Sequence, residues 1–77
     1  MPTLWRLSAV SVRMYADDHR PPHFHIVGPD FHVLVRLADL TVIAGVARPA
    51  RIAAASAWAA ENRGLLDRTW ARLNERG

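Results

Sequence analysis

The sequence predicts a small α+β domain spanning residues 1–77, with a three- or four-stranded antiparallel sheet in residues 1–45 and a bent helix or helix pair over 46–77 packed on one sheet face. Three observations predict this. Alternating, β-prone runs separated by turn residues fill the first part, Pro49 opens a stretch with apolar residues at helical spacing, and Gly64 interrupts that stretch.

Leu4 to Tyr15 reads as a first strand, with Val10, Val12 and Met14 on one face and Ser11, Arg13 and Tyr15 on the other. Two adjacent prolines, Pro21 and Pro22, fix φ and remove two backbone donors, so the chain between Asp18 and His23 is a stiff corner. His23–Val27 and Phe31–Leu37 are short strands separated by Gly28-Pro29-Asp30, the signature of a hairpin. Placing Phe24 and Ile26 on the core side with Phe31, Val33, Val35 and Leu37 pairs Ile26 with Phe31 and His25 with His32. His23, His25, His32, Leu34 and Arg36 then share the opposite face as a polar, cation-rich surface, with Arg13 and Tyr15 beside them.

A short fourth strand follows at Leu40 to Ala44, and Pro49 suits the first helical position, where its missing N–H costs nothing. Ile52, Ala55, Ala59, Asn62, Leu66 and Leu73 form an apolar stripe, widened by Trp58, Leu65 and Trp70. Glycine costs about 1 kcal/mol against Ala inside a helix, which predicts a bend or a break near Arg63 and Gly64.

Composition narrows the function classes. A chain of 77 residues buries only roughly 60% of its unfolded surface, so a partner or a second copy would help its stability. The absence of cysteine excludes disulfides and thiolate metal sites. No apolar run is long enough to span a membrane and no leader pattern is visible, so a cytoplasmic protein is expected. All ten basic residues are Arg, and with seven acids the formal net charge is +3; scattered as they are, these arginines make only a weak case for nucleic acid.

The densest feature is Asp17-Asp18-His19-Arg20-Pro21-Pro22-His23-Phe24-His25, which holds three of the four histidines. His23 and His25, two apart on a strand, project side by side, and His19, His32, Asp17 or Asp18 would complete a set for Zn, Ni, Fe or Mn. His19, His23 and His25 are the candidate metal ligands, and no other cofactor is expected. The same His19, His23 and His25 would serve as general acid and base in phosphodiester cleavage, with Arg36 or Arg13 stabilising charge on a phosphate. As a binding surface, the face would use Asp18, Tyr15, Arg13 and His32, and an open sheet edge would offer strand addition. The plainer reading is a Pro-Pro corner whose Asp and His side chains bond local backbone, with Trp58 and Trp70 in the core.

Met-Pro-Thr at the start, Met14-Tyr15, and Asp18-His19-x-Pro21-Pro22-His23-Phe24-His25, followed by Gly45, Pro49, Trp58 and Trp70, resemble domain-of-unknown-function family 4160 over nearly the whole chain. The chain differs from that pattern in having Gly28-Pro29-Asp30 at the hairpin turn and Asn62 where a His is common. The resemblance implies a small prokaryotic protein that often sits beside another uncharacterised family, numbered 2442, in pairs that look like toxin-antitoxin modules. A small partner protein encoded nearby is therefore expected, bound through the His-rich sheet face, with RNA or a second copy of the chain as other partners. The alternative is a small RNA-directed nuclease or metal-dependent hydrolase using His19, His23 and His25.

Overall fold

The structure, a computed structural model, describes residues 3–16 and 18–74; Asp17, one of the candidate ligands, lies outside the described residues. Five strands run in chain order, β1 (Thr3–Leu7), β2 (Val10–Arg13), β3 (His23–Val27), β4 (His32–Arg36) and β5 (Val42–Ala44), followed by helices α1 (Pro49–Glu61) and α2 (Arg63–Asn74). The sheet is an antiparallel meander in the order β1-β2-β3-β4-β5, which puts β3 at its centre.

The expected first strand over Leu4 to Tyr15 is two strands, which raises the count to five from the three or four expected. Leu7 pairs with Val10, leaving Ser8 and Ala9 as a two-residue turn. Ser8 takes a φ of 57° there. The sequence hides this hairpin because neither turn position is Gly, Asn or Asp, the residues that usually mark such a conformation.

The β3–β4 hairpin also differs from expectation, since Ile26 pairs with Val33 and Val27 with His32, where Ile26–Phe31 and His25–His32 pairs were predicted. Gly28-Pro29-Asp30-Phe31 forms the turn as a four-residue unit, closed by the Gly28 N–H donating to the Phe31 carbonyl at 2.9 Å. Phe31 leaves the ladder, and its ring lies 5.3 Å beneath the Arg51 guanidinium. The slip is two residues, so every side chain that stays in the ladder keeps its predicted face.

Val12, Met14, Phe24, Ile26, Val33, Val35 and Leu37 accordingly form one buried sheet face, closed by Ile52, Ala55 and Ala59 of α1 and by Leu66 and Trp70 of α2. Trp5 stacks on Trp58 at a centroid distance of 6.0 Å and extends this cluster toward β1. The helical part is a pair: α1 ends at Asn62, whose side-chain amide donates to the Trp58 carbonyl at 2.8 Å. The break thus falls just before the Arg63–Gly64 position that the glycine suggested. Arg63 then donates to the Leu37 and Ala38 carbonyls, both at 2.8 Å, and fixes the start of α2 to the end of β4. Among the described residues, no helix is long and apolar enough to cross a membrane.

Candidate functional site

The face opposite the core does not lie open as expected, because His23 and His25 are 3% and 8% exposed. Strand alternation places both on that side, but Tyr15 and Asp18 of the segment between β2 and β3 lie against them. The Pro-Pro corner is held to the sheet by the Leu37 N–H donating to the Pro22 carbonyl at 3.0 Å. Tyr15 sets its ring edge-on to His25 at 4.7 Å, and Trp70 lies 5.4 Å from the His23 ring.

Asp18 is brought into the middle of this cluster. Its Oδ2 lies 2.9 Å from His25 Nε2 and 3.2 Å from His23 Nε2. On the far side of His25, Nδ1 meets His32 Nε2 at 2.8 Å. His32 reaches it as a diagonal neighbour across the hairpin, since His25 itself faces Leu34. His23 directs Nδ1 at the Pro21 carbonyl, 2.9 Å away, so that nitrogen carries the hydrogen. The pKa of His25 is lowered, chiefly by burial, which outweighs the hydrogen bond and charge of Asp18; a neutral imidazole at neutral pH follows.

The structure gathers five of the predicted site residues, Asp18, Tyr15, His23, His25 and His32, and leaves three outside. His19 is exposed, and the grouped ligand atoms belong to Asp18, His23 and His25. Arg36 turns to the β4–β5 connection, where Nε and Nη2 donate to Asp39 at 3.0 and 2.7 Å and Nη2 also reaches Thr41 Oγ1. Hydrogen bonding from Arg36, and then from Thr41, holds the Asp39 carboxyl well below the usual carboxylate range. Arg13 donates to Ser11 Oγ at 3.0 Å along its own strand.

One participant carried no sequence signal. Asn74, at the end of α2, accepts the Asp18 N–H on Oδ1 at 2.7 Å and donates from Nδ2 to the Tyr15 carbonyl at 3.1 Å. A helix-terminal Asn is unremarkable locally, and its two partners lie 56 and 59 residues earlier in the chain. Asn74→Ala leaves a part-buried N–H and carbonyl without these partners, at a cost of about 1–3 kcal/mol. The expected result is a thermal midpoint lower by roughly 5–15 °C, with faster hydrogen exchange at the Asp18 amide. Unchanged exchange there would show that Asn74 does not hold the loop.

A five-stranded meander covered by a helix pair, with an Asp-His cluster under a Pro-Pro corner, defines a small α+β domain class. The chain belongs to the family described as "Domain of unknown function (DUF4160)", whose model matches residues 10–71. No curated protein and no solved structure matches the chain.

Proposed function

We propose that this protein is a cytoplasmic accessory member of a two-protein module of the toxin-antitoxin kind, acting by binding its partner protein along the exposed edge of β5. The observation that carries this reading is the exposure of all three β5 residues, Val42 and Ile43 at 45% and 38%, with Val46 just beyond at 90%. β5 is last in the sheet order, so its outer edge has no strand beside it among the described residues. Unpaired backbone groups flanked by apolar side chains favour strand addition by a protein.

Catalysis by His19, His23 and His25 on RNA or another substrate would require access to imidazoles whose side chains, at His23 and His25, are only 4% and 10% exposed. Partner binding at β5 requires no such access. Arg36 and Arg51 are engaged by Asp39 and Asp30, and Arg63 by two carbonyls, which leaves fewer guanidinium groups to meet a phosphate backbone. On the histidine side, exposed His32 is the residue best placed to extend a protein interface.

The test is co-purification with the product of the adjacent gene, using wild type and Ile43→Lys. Lysine on an edge strand is a natural block to added strands, and Ile43 is not part of the core. The variant is expected to keep its thermal midpoint and lose at least about tenfold in affinity, or roughly 1.4 kcal/mol. Equal binding by the variant, or no complex with wild type, would overturn the proposal.

A further inference from the structure

We infer that Asp18, His23 and His25 form a site for one divalent transition-metal ion, ligated by Asp18 Oδ2, His23 Nε2 and His25 Nε2. This inference is independent of partner binding at β5. The cluster's own hydrogen bonding holds a fault. His23 Nδ1 points at the Pro21 carbonyl and must donate, so a neutral ring bears its lone pair on Nε2. That Nε2 is buried without a hydrogen-bond partner, and it faces the Asp18 carboxylate oxygen at 3.2 Å. Two acceptors aimed at each other inside a protein are unfavourable, and a cation between them reverses the sign of the interaction.

The spacing suits an ion. With metal–ligand bonds of about 2.0–2.2 Å, neighbouring ligands stand about 3.0 Å apart at right angles and about 3.4 Å apart at the tetrahedral angle. The Asp18–His25 and Asp18–His23 separations are 2.9 and 3.2 Å, and all three ligand atoms lie within 4.8 Å of one another. The two Asp18 separations already match this spacing, and the imidazole nitrogens would close by at most about 1.4 Å to complete a tetrahedral set.

The surroundings also suit it. A metal-bound imidazole normally donates its other N–H to a fixed acceptor. His23 Nδ1 has the Pro21 carbonyl, and His25 Nδ1 has His32 Nε2 at 2.8 Å. Two imidazoles and one carboxylate favour first-row divalent ions over Ca²⁺ or Mg²⁺. Bound there, the ion ties the corner segment to the central strand and, through the Asp18 N–H on Asn74, to the end of α2. A metal held by folded protein but by few groups of the unfolded chain stabilises the fold.

The experiment uses untagged, chelator-dialysed protein titrated with Zn²⁺ alone by calorimetry and with Co²⁺ alone by visible absorption. Wild type is expected to bind one ion per chain, to develop cobalt ligand-field bands, and to gain about 10–20 °C in thermal midpoint at free zinc a hundredfold above Kd. Asp18→Asn keeps the shape, removes the anionic ligand and is expected to weaken binding at least about a hundredfold. His32→Ala, a positioning change, is expected to cost about 10–100-fold, and His19→Ala nothing. Should Asp18→Asn not fold, His23→Gln makes the same distinction. No zinc binding and no cobalt bands in wild type would overturn the inference. Undiminished affinity in the folded ligand variant would overturn it too.

Discussion

Phe24→Ala is expected to remove a large share of the stability of this protein. Phe24 is fully buried on the central strand, where it pairs with Val35, and it is the largest of the fully buried side chains. Truncating a buried Phe costs about 3–5 kcal/mol, as lost transfer energy plus the cavity left behind. A chain of 77 residues has a total stability of only roughly 4–12 kcal/mol. The thermal midpoint, followed by far-UV circular dichroism, should therefore fall by on the order of 20 °C, with part of the population unfolded at 37 °C. Phe24→Leu, which restores most of the volume, should cost less than half as much. A fall of only a few degrees for the alanine variant would mean that this ring does not sit in the core. The position also tests how the Asp-His-Pro-Pro-His-Phe-His segment is divided. Phe24 anchors one face of β3, while His23 and His25 on either side of it build the cluster on the other.

Gly45→Ala is the second large effect, and its cause is in the backbone. Gly45 has a φ of 84°, a conformation costing an L-residue about 1–2 kcal/mol. A methyl group there would also overlap the His32 carbonyl oxygen and approach Val33 Cα to 3.0 Å. Those are main-chain atoms of a strand held between two neighbours, so relief must come from β5 moving away. A total cost of roughly 2–4 kcal/mol is expected, with the amides of β5 and its β4 partners losing hydrogen-exchange protection before the rest of the sheet. If partner binding uses β5, the same variant should bind poorly even where it remains folded. Gly64 provides the control, since a methyl there meets only the end of the flexible Arg68 side chain, at 3.1 Å, and alanine is the better helix former. Protection of β5 that is unchanged in Gly45→Ala would show that this close approach does not govern the edge.

Local chemistry made much of the fold legible. Pro49 fixed where the helical part begins, and the stripe from Ile52 to Leu66 supplied the residues that cover the sheet. Alternation in β3 and β4 assigned Phe24, Ile26, Val33 and Val35 to the core and the histidines to the other side. That assignment survived a two-residue error in register because side-chain direction depends only on parity. The Ser8–Ala9 turn was not legible, since a residue can be held at positive φ by the pairing of its neighbours without being a residue that prefers it.

The sequence by itself determined which side chains could meet, through the spacing of His23 and His25 on a strand and the rigidity of Pro21-Pro22. Tertiary structure decided which ones do. It selected Asp18 over the adjacent His19, turned Arg36 away to Asp39, and buried two imidazoles that strand periodicity alone would leave in solvent. Periodicity states the side of a sheet on which a residue lies, but not what covers that side. Here the cover is a loop together with the end of α2, whose Trp70 lies beside His23, and the loop's course is set by bonds such as that from Asp18 to Asn74, between residues 56 positions apart.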